Sequence, residues 1–292
     1  MTQANFKHAP VRDLAWTGFA PQLLRTPAIQ GAGIQLDGFW QSHLDQLDED
    51  PEPLLNYIAD RDTGRLGLYY ETLWHYLLKT DPNIELLAHN VPVRDEKRTI
   101  GEFDCLYWSE VDQRHIHLEM TIKFYLGVPD RDIWLGPGQR DRLDRKLAKI
   151  TEQQARLSAH PAAQLALAEL GIDHCESRID FKGYLFQPAM GMTPPEAINP
   201  DWPLQRWFSF SQFAALPPLD SNWLGWQRIP RRRWLSPYVA AEDTSPGDNP
   251  VAAEIERRLA DKGRPQQLAA CDENGRERYR CFVTPDGWPD RL

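Results

Sequence analysis

Between residues 63 and 127 the spacing of apolar side chains changes from a period of about 3.6 to a period of 2, which restricts this stretch to one helix followed by paired strands. From Thr63-Gly64 to Lys79, Leu66, Tyr70, Leu73, Trp74, Leu77 and Leu78 recur at helical intervals, and Glu71 lies at the edge of their stripe beside Trp74 and Leu78. Asp81-Pro82-Asn83 ends the run, because proline has no N–H with which to continue it. Three strand-like stretches follow, 85–94, 99–108 and 115–127, separated by polar turns at Asp95-Glu96-Lys97 and Glu110 to Gln113. Links this short call for antiparallel hairpins. In the third stretch Ile116, Leu118, Met120, Ile122, Phe124 and Leu126 share one face, and His115, His117, Glu119, Thr121, Lys123 and Tyr125 share the other. In the second, Phe103, Cys105 and Tyr107 oppose Glu102 and Asp104.

Further along, Arg140 to Ser158 places Leu143, Leu147, Ile150 and Leu157 on one side of a second helix, Pro161 interrupts it, and residues 162–170 resume a helical pattern that Gly171 ends. Residues 178–187 read as a fourth strand. Helix, three strands, helix, strand predicts an α/β fold, with a mixed central sheet flanked by helices. Residues 1–62, punctuated by Pro10, Pro21 and Pro27, are expected to be short helices and loops packed on a core at 63–190. Residues 191–292 are rich in Pro and Trp and read as an aromatic clasp without long regular elements, with a linker at 240–250 and a helix at 250–262. One structural domain with two extensions suits 292 residues of which 41% are hydrophobic.

No apolar run approaches the roughly 18 residues that span a bilayer, and the first residues lack the basic-then-apolar order of a secretory signal, so the expectation is a soluble, cytoplasmic protein with no membrane partner. Cys105, Cys175, Cys271 and Cys281 form no CxxC pair and read as reduced thiols. A net charge of −9 speaks against a general nucleic-acid coat. Its distribution is uneven: residues 37–62 hold eight acids and one Arg, whereas QRIPRRRW at 227–234 holds four Arg and no acid. Arg231, Arg232 and Arg233 could face phosphates or lie over the tryptophans in cation–π contact.

The candidate chemistry rests on three carboxylates. Asp104 and Glu119 on paired strands and Glu71 on the preceding helix could meet in one pocket, where hard oxygen ligands would hold a divalent cation. Lys123, on the face of Glu119, could steady negative charge on a phosphate. His115 and His117 flank Glu119, and His75 follows Glu71 by one turn; each reads more simply as a neighbour. An antiparallel sheet with one wet face would show similar alternation without any site.

TGRLGLYYETLWHYLL, then IGEFDCLYW, then HIHLEMTIKFYL resembles the PD-(D/E)XK nuclease superfamily, in which a helix Glu precedes a G-E-hydrophobic-D strand and an E-x-K strand. Over most of its length the chain also resembles a bacterial family of unknown function placed in that superfamily. The resemblance implies a restriction-endonuclease-like αβββαβ core, with Glu71, Asp104 and Glu119 as metal-linked acids, Glu102 as an auxiliary acid and Mg²⁺ or Mn²⁺ as the ion. It implies a metal-dependent nuclease with nucleic acid, DNA first, as partner. One position departs: the family's Lys falls at Thr121, with Lys123 two residues further, so Lys146 or Lys149 from the next helix could supply the charge instead. Arg140, Arg142 and Lys149 are the expected nucleic-acid contacts near that helix. The alternative is a nuclease-fold module that has lost catalysis and binds nucleic acid or a protein; a homodimer is left open.

Overall fold

The computed structural model describes residues 6–25, 31–61, 64–96, 98–152, 157, 160–219, 223–240 and 250–290. The N-terminal region forms short helices, α1 (Ala9–Phe19), α2 (Gly38–Glu49) and α3 (Glu52–Ala59). Helix α4 (Leu66–Thr80) is the helix expected from residue 63 onward, although Thr63 lies outside the described residues. Asp81 fixes its end: the carboxylate accepts from the Trp40 indole at 2.7 Å and from the Asn83 N–H at 2.9 Å. Strands β1 (Ile84–Asp95), β2 (Arg98–Ser109) and β3 (Arg114–Val128) then pair antiparallel in sequence.

A three-residue strand, β4 (Ile133–Leu135), folds back on β3. Helix α5 (Leu143–Glu152) begins later than the helix expected from Arg140. Gln139 has a positive φ of 60° and Arg142 bridges to Leu135, so the Gly-Pro-Gly turn keeps residues 140–142 out of the helix. The expected continuation through 153–156 and 158 lies outside the described residues. Helix α6 (Pro161–Glu169) and strand β5 (Glu176–Pro188) follow as expected.

The C-terminal part, expected as an aromatic clasp without long regular elements, is built largely from short strands. It contains β6 (Gln205–Ser209), α7 (Phe210–Ala214), β7 (Trp223–Arg228), α8 (Pro250–Lys262), β8 (Gln266–Asp272) and β9 (Glu277–Thr284). Its prolines sit between these strands rather than inside them: Pro203 precedes β6, Pro218 and Pro230 bracket β7, and Pro265 and Pro285 bracket the β8–β9 pair. Proline there limits strand length instead of forbidding strands. Of the expected linker, residues 241–249 lie outside the described residues.

The described strands form a nine-stranded mixed sheet in the order β1-β2-β3-β5-β6-β9-β8-β7, with β4 attached to β3. β3–β5, β5–β6 and β6–β9 are parallel; the remaining pairs are antiparallel. Helices α1 to α4 cover one face, packing on Leu118, Met120, Phe124 and Leu126. On the other face α5 packs on Tyr125, Ile179 and Phe181, α6 on Phe103 and Leu106, and α8 on Leu268 and Val283. No helix among the described residues is long and apolar enough to cross a membrane.

A buried ionic network fixes α4 on the sheet. Asp180 and Lys182 of β5 are 0% and 1% exposed and lie on the α4 face, two residues apart. The Lys182 ammonium donates to both Asp180 oxygens, at 2.5 and 2.8 Å, and stands 5.1 Å from the Trp74 ring centre. Tyr70 of α4 donates to the same carboxylate at 3.1 Å, and Gln22 at 3.3 Å. Burial pulls the Lys182 ammonium below the usual lysine range against the raising pull of Asp180. Gly183 follows, with φ +143°, where a Cβ would stand 1.7 Å from the Lys123 carbonyl oxygen, so only glycine lets β5 run this close to β3.

A buried charge that loses its partner is far more costly than a pair replaced by apolar groups. Asp180→Ala should therefore lower stability in urea titration by about 3–5 kcal/mol. The double variant Asp180→Leu, Lys182→Met should lose clearly less; an equal or larger loss would show that the pair is not a self-contained unit.

Candidate active site

Main-chain pairing between β2 and β3 runs from Ser109/Arg114 to Cys105/Leu118 and stops there. Continued by one step, the same register would bring Asp104 opposite Glu119. Beyond that point β2 keeps its pairing with β1, and β3 keeps its pairing with β5, so the sheet opens between them. Asp104 stands at the opening, where its Oδ2 accepts the Met120 N–H at 2.9 Å in place of a carbonyl.

The strict alternation expected along β2 fails at this residue. Phe103 packs with Leu106 on the α6 face, whereas Cys105 and Tyr107 pack on the α4 face. Across from Asp104, between the partners of Phe103 and Cys105, Asn90 of β1 adopts φ +52°. The local distortion turns the Asp104 carboxylate toward the gap and leaves it reachable from both faces.

On the α5 face, Glu119 is half-buried and shares its side of β3 with Thr121, Lys123 and Tyr125. Lys146 of α5 brings its ammonium to 4.0 Å from Glu119 Oε1. Burial raises the Asp104 carboxyl to about 6, with the Met120 N–H opposing it, Glu102 adding to it, and Lys146 and Lys149 opposing. Burial, then Asp104, raises Glu119 to about 7, again opposed by Lys146 and Lys149. Lys146 is itself lowered, by burial first and against the pull of Glu119. Both members of the Lys146–Glu119 pair thus shift toward their neutral forms, so desolvation outweighs their attraction across 4.0 Å.

Glu71 reaches Asp104 from the other side. It is half-buried on α4, and its carboxyl rises to about 7 through burial, then through Asp104 and Glu102. The three acids expected in one pocket are therefore divided: Asp104 is common to both sides, Glu119 lies on the α5 face and Glu71 on the α4 face. Among the described residues, no group of three or more His, Cys, Asp or Glu side chains is arranged to hold a metal ion. The structure brings together Asp104 with Glu119, and Asp104 with Glu71 and Glu102.

Lys123 lies on the Glu119 face, as expected, but its charge is engaged elsewhere. Its ammonium pairs with Asp141 at 2.9 Å, while Lys146, one turn into α5, approaches Glu119. Thr121 is buried. His117 lies behind Phe103, its two ring nitrogens without a hydrogen-bond partner among the described residues, and burial lowers it to about 4. His115 packs on Trp108, and His75 stacks on His89, which the sequence reading missed.

The expected basic contacts are spread over two places. Arg140 is exposed just before α5, Arg142 pairs with Asp144 at 2.6 Å, and Lys149 is exposed on α5 near the acids. Arg231 lies over Trp234 and Arg232 over Tyr69, while Arg233 is half-buried, so the cation–π reading of the Arg run accounts for the first two.

Sequence signals for Lys146 were present in part: it falls between Leu143, Leu147 and Ile150 on the inward stripe of its helix. An Asn in mid-strand beside a His was the corresponding trace of Asn90 and His89.

The carboxyls of Glu71, Asp104 and Glu119 bind protons more tightly in the folded chain than in the unfolded one. Their contribution to stability is therefore greatest in acid and is lost as pH rises through about 6 to 7. His75 and His117, both lowered to about 4, act in the opposite sense, losing stability as pH falls from the ordinary histidine range. Comparing Asp104→Asn with the unaltered chain isolates the acids. Without divalent cations, the variant should gain about 1–3 kcal/mol relative to the unaltered chain at pH 8, about half of that at pH 5, and little at pH 3, in urea titrations. A pH-independent difference would contradict the electrostatic account.

Residues 12–284, from α1 through β9, match a sequence family described as Domain of unknown function (DUF1853). No curated protein and no solved structure matches the chain.

Proposed function

The chain belongs to the DUF1853 family, and we propose that it is a divalent-cation-dependent nuclease of the PD-(D/E)XK type that hydrolyses phosphodiester bonds of nucleic acid, with DNA as its substrate. The observation that carries this reading is the opening of the β2–β3 ladder at Asp104, with the Glu119–Lys146 pair beside it. The order α4, β1, β2, β3, α5, β5 supports assigning the center of the sheet to a restriction-endonuclease-like core.

The donor set suits a small hard cation. Mg²⁺ commonly takes one or two carboxylates from the protein and keeps water or phosphate oxygens in its other positions, so two acids without a third suffice. Asp104 and Glu119 would hold it, and their raised carboxyls signal charge that a cation would relieve. When bound, the ion would neutralise phosphate charge and make an attacking water more acidic. Lys146 then takes the part first expected of Lys123, placing positive charge against the phosphate from α5. The Met120 N–H holds one Asp104 oxygen, which orients the other toward the opening.

This arrangement favours an active enzyme over a module that has lost its lysine, because an ammonium reaches the acids from a different element. Supercoiled plasmid should be nicked with Mg²⁺ or Mn²⁺ and remain intact in chelator. Asp104→Ala and Glu119→Gln should each reduce cleavage by about 100-fold or more, a loss of the size produced when a group that stabilises transition-state charge is removed. Lys146→Met should cost more than Lys123→Met. Cleavage that persists in chelator or in Asp104→Ala would refute the reading.

A further inference from the structure

Asp104 meets different company on the two faces of the sheet. Toward α5 stand Glu119 and Lys146; toward α4 stand Glu71 and Glu102, and beside them a pair of imidazoles. His89 lies on β1 opposite Cys105, is exposed, and stacks on the buried His75 of α4 with ring centres 4.2 Å apart. Its Nδ1 is 2.8 Å from Asn90 Oδ1, and the Asn90 amide nitrogen donates to Glu102 Oε1 at 3.4 Å.

An amide oxygen only accepts, so the contact assigns one proton to His89 Nδ1; in the imidazolium the second proton is then on Nε2, turned toward an outside partner. The chain Glu102–Asn90–His89 depends on the left-handed backbone of Asn90, an uncommon conformation in the middle of a strand and one that Asn tolerates. His75 backs the His89 ring and is kept neutral by burial. Among the described residues, charged groups near the pair include Glu71, one turn before His75 on α4, Glu102, reached through Asn90, and Arg61, whose field acts on His75.

Displacement at phosphorus runs in line, with entering and leaving oxygens on opposite sides. Resting on the function proposed above, water enters on the α5 side, where Lys146 stands, and the leaving oxygen departs toward α4. We propose that His89, oriented by Asn90 and Glu102, gives its Nε2 proton to that leaving oxygen, which suits the site to diesters with poor, alkoxide-type leaving groups such as the sugar hydroxyls of nucleic acid. The water oxygen bonds to phosphorus as the bond from phosphorus to the leaving oxygen breaks. The electron pair of that bond stays on the leaving oxygen and takes the proton of the imidazolium. The proton lost by the water goes to solvent, from which His89 is recharged.

The test compares two substrates with the full chain and Mn²⁺: a DNA oligonucleotide, and bis(4-nitrophenyl) phosphate, whose leaving phenolate needs little help from a proton. His89→Gln should lower kcat on the oligonucleotide by about 100-fold or more, the usual scale of general acid catalysis, and on the nitrophenyl ester by less than about 5-fold. Asn90→Gly, which accepts the left-handed backbone while deleting the amide, should be selective in the same direction and smaller in size. Equal losses on both substrates, or no loss on the oligonucleotide, overturn the proposal. An unaltered chain inactive on both substrates overturns the nuclease reading, and this inference with it.

Discussion

A backbone N–H that donates to a side-chain carboxylate in place of a carbonyl organises this molecule. At Met120 the ladder between β2 and β3 runs out, and a buried donor left there alone would cost about 1–3 kcal/mol. Asp104 removes that cost by accepting the bond, and in doing so keeps a carboxylate in the plane of the sheet instead of on one of its faces. The same hydrogen bond opposes the rise that burial imposes on the carboxyl. Structure and chemistry are thus joined in one contact: the opening needs an acceptor, and an acceptor that carries charge makes the opening electrostatically active.

Electrostatics then divide the neighbourhood. Lys146 and Lys149 act on Asp104 and Glu119 from α5, whereas Glu71 and Glu102 add negative charge from the other face. A chain with a net charge of −9 can still present cations where they matter, because interactions over a few ångströms in a desolvated gap outweigh the distant average. Lys123 shows the limit of that argument. It lies on the face of Glu119, yet Asp141, 2.9 Å away, is the nearer anion and takes its charge.

Much of the central fold was legible because each element declared its period. The helix at 66–80 and the three strands after it differ from the expected spans by a few residues at their ends. What the sequence concealed were departures from period. Alternation along β2 assigned Asp104 the face opposite Phe103 and Cys105 together, but the register of a distorted strand is set by partners far away in sequence, Asn90 and Met120 among them. Parity likewise placed Lys123 with Glu119 correctly and said nothing of Asp141, which comes from a turn after β4. The strands β6 to β9 were hidden for another reason. Short segments between prolines have no repeat long enough to reveal a period, and their partners lie across the chain, β6 with β9 and β9 with β8.

Those concealed strands bear on the site through β5. β6 pairs with β5 at Phe186 to Pro188, and Phe282 of β9 packs edge-on against Phe186 at 4.6 Å. Arg280, fully buried, donates to the carbonyls of Trp234 and Ser236 and sits 4.3 Å from the ring of Tyr184, also on β5. β5 in turn carries Asp180 and Lys182, which hold Tyr70 and Trp74 of α4. Glu71 lies between those two aromatic residues on the helix, so its approach to Asp104 is fixed by a chain of contacts that begins in the C-terminal strands. The aromatic- and proline-rich third of the sequence therefore buttresses β5, and through β5 the helix that carries Glu71.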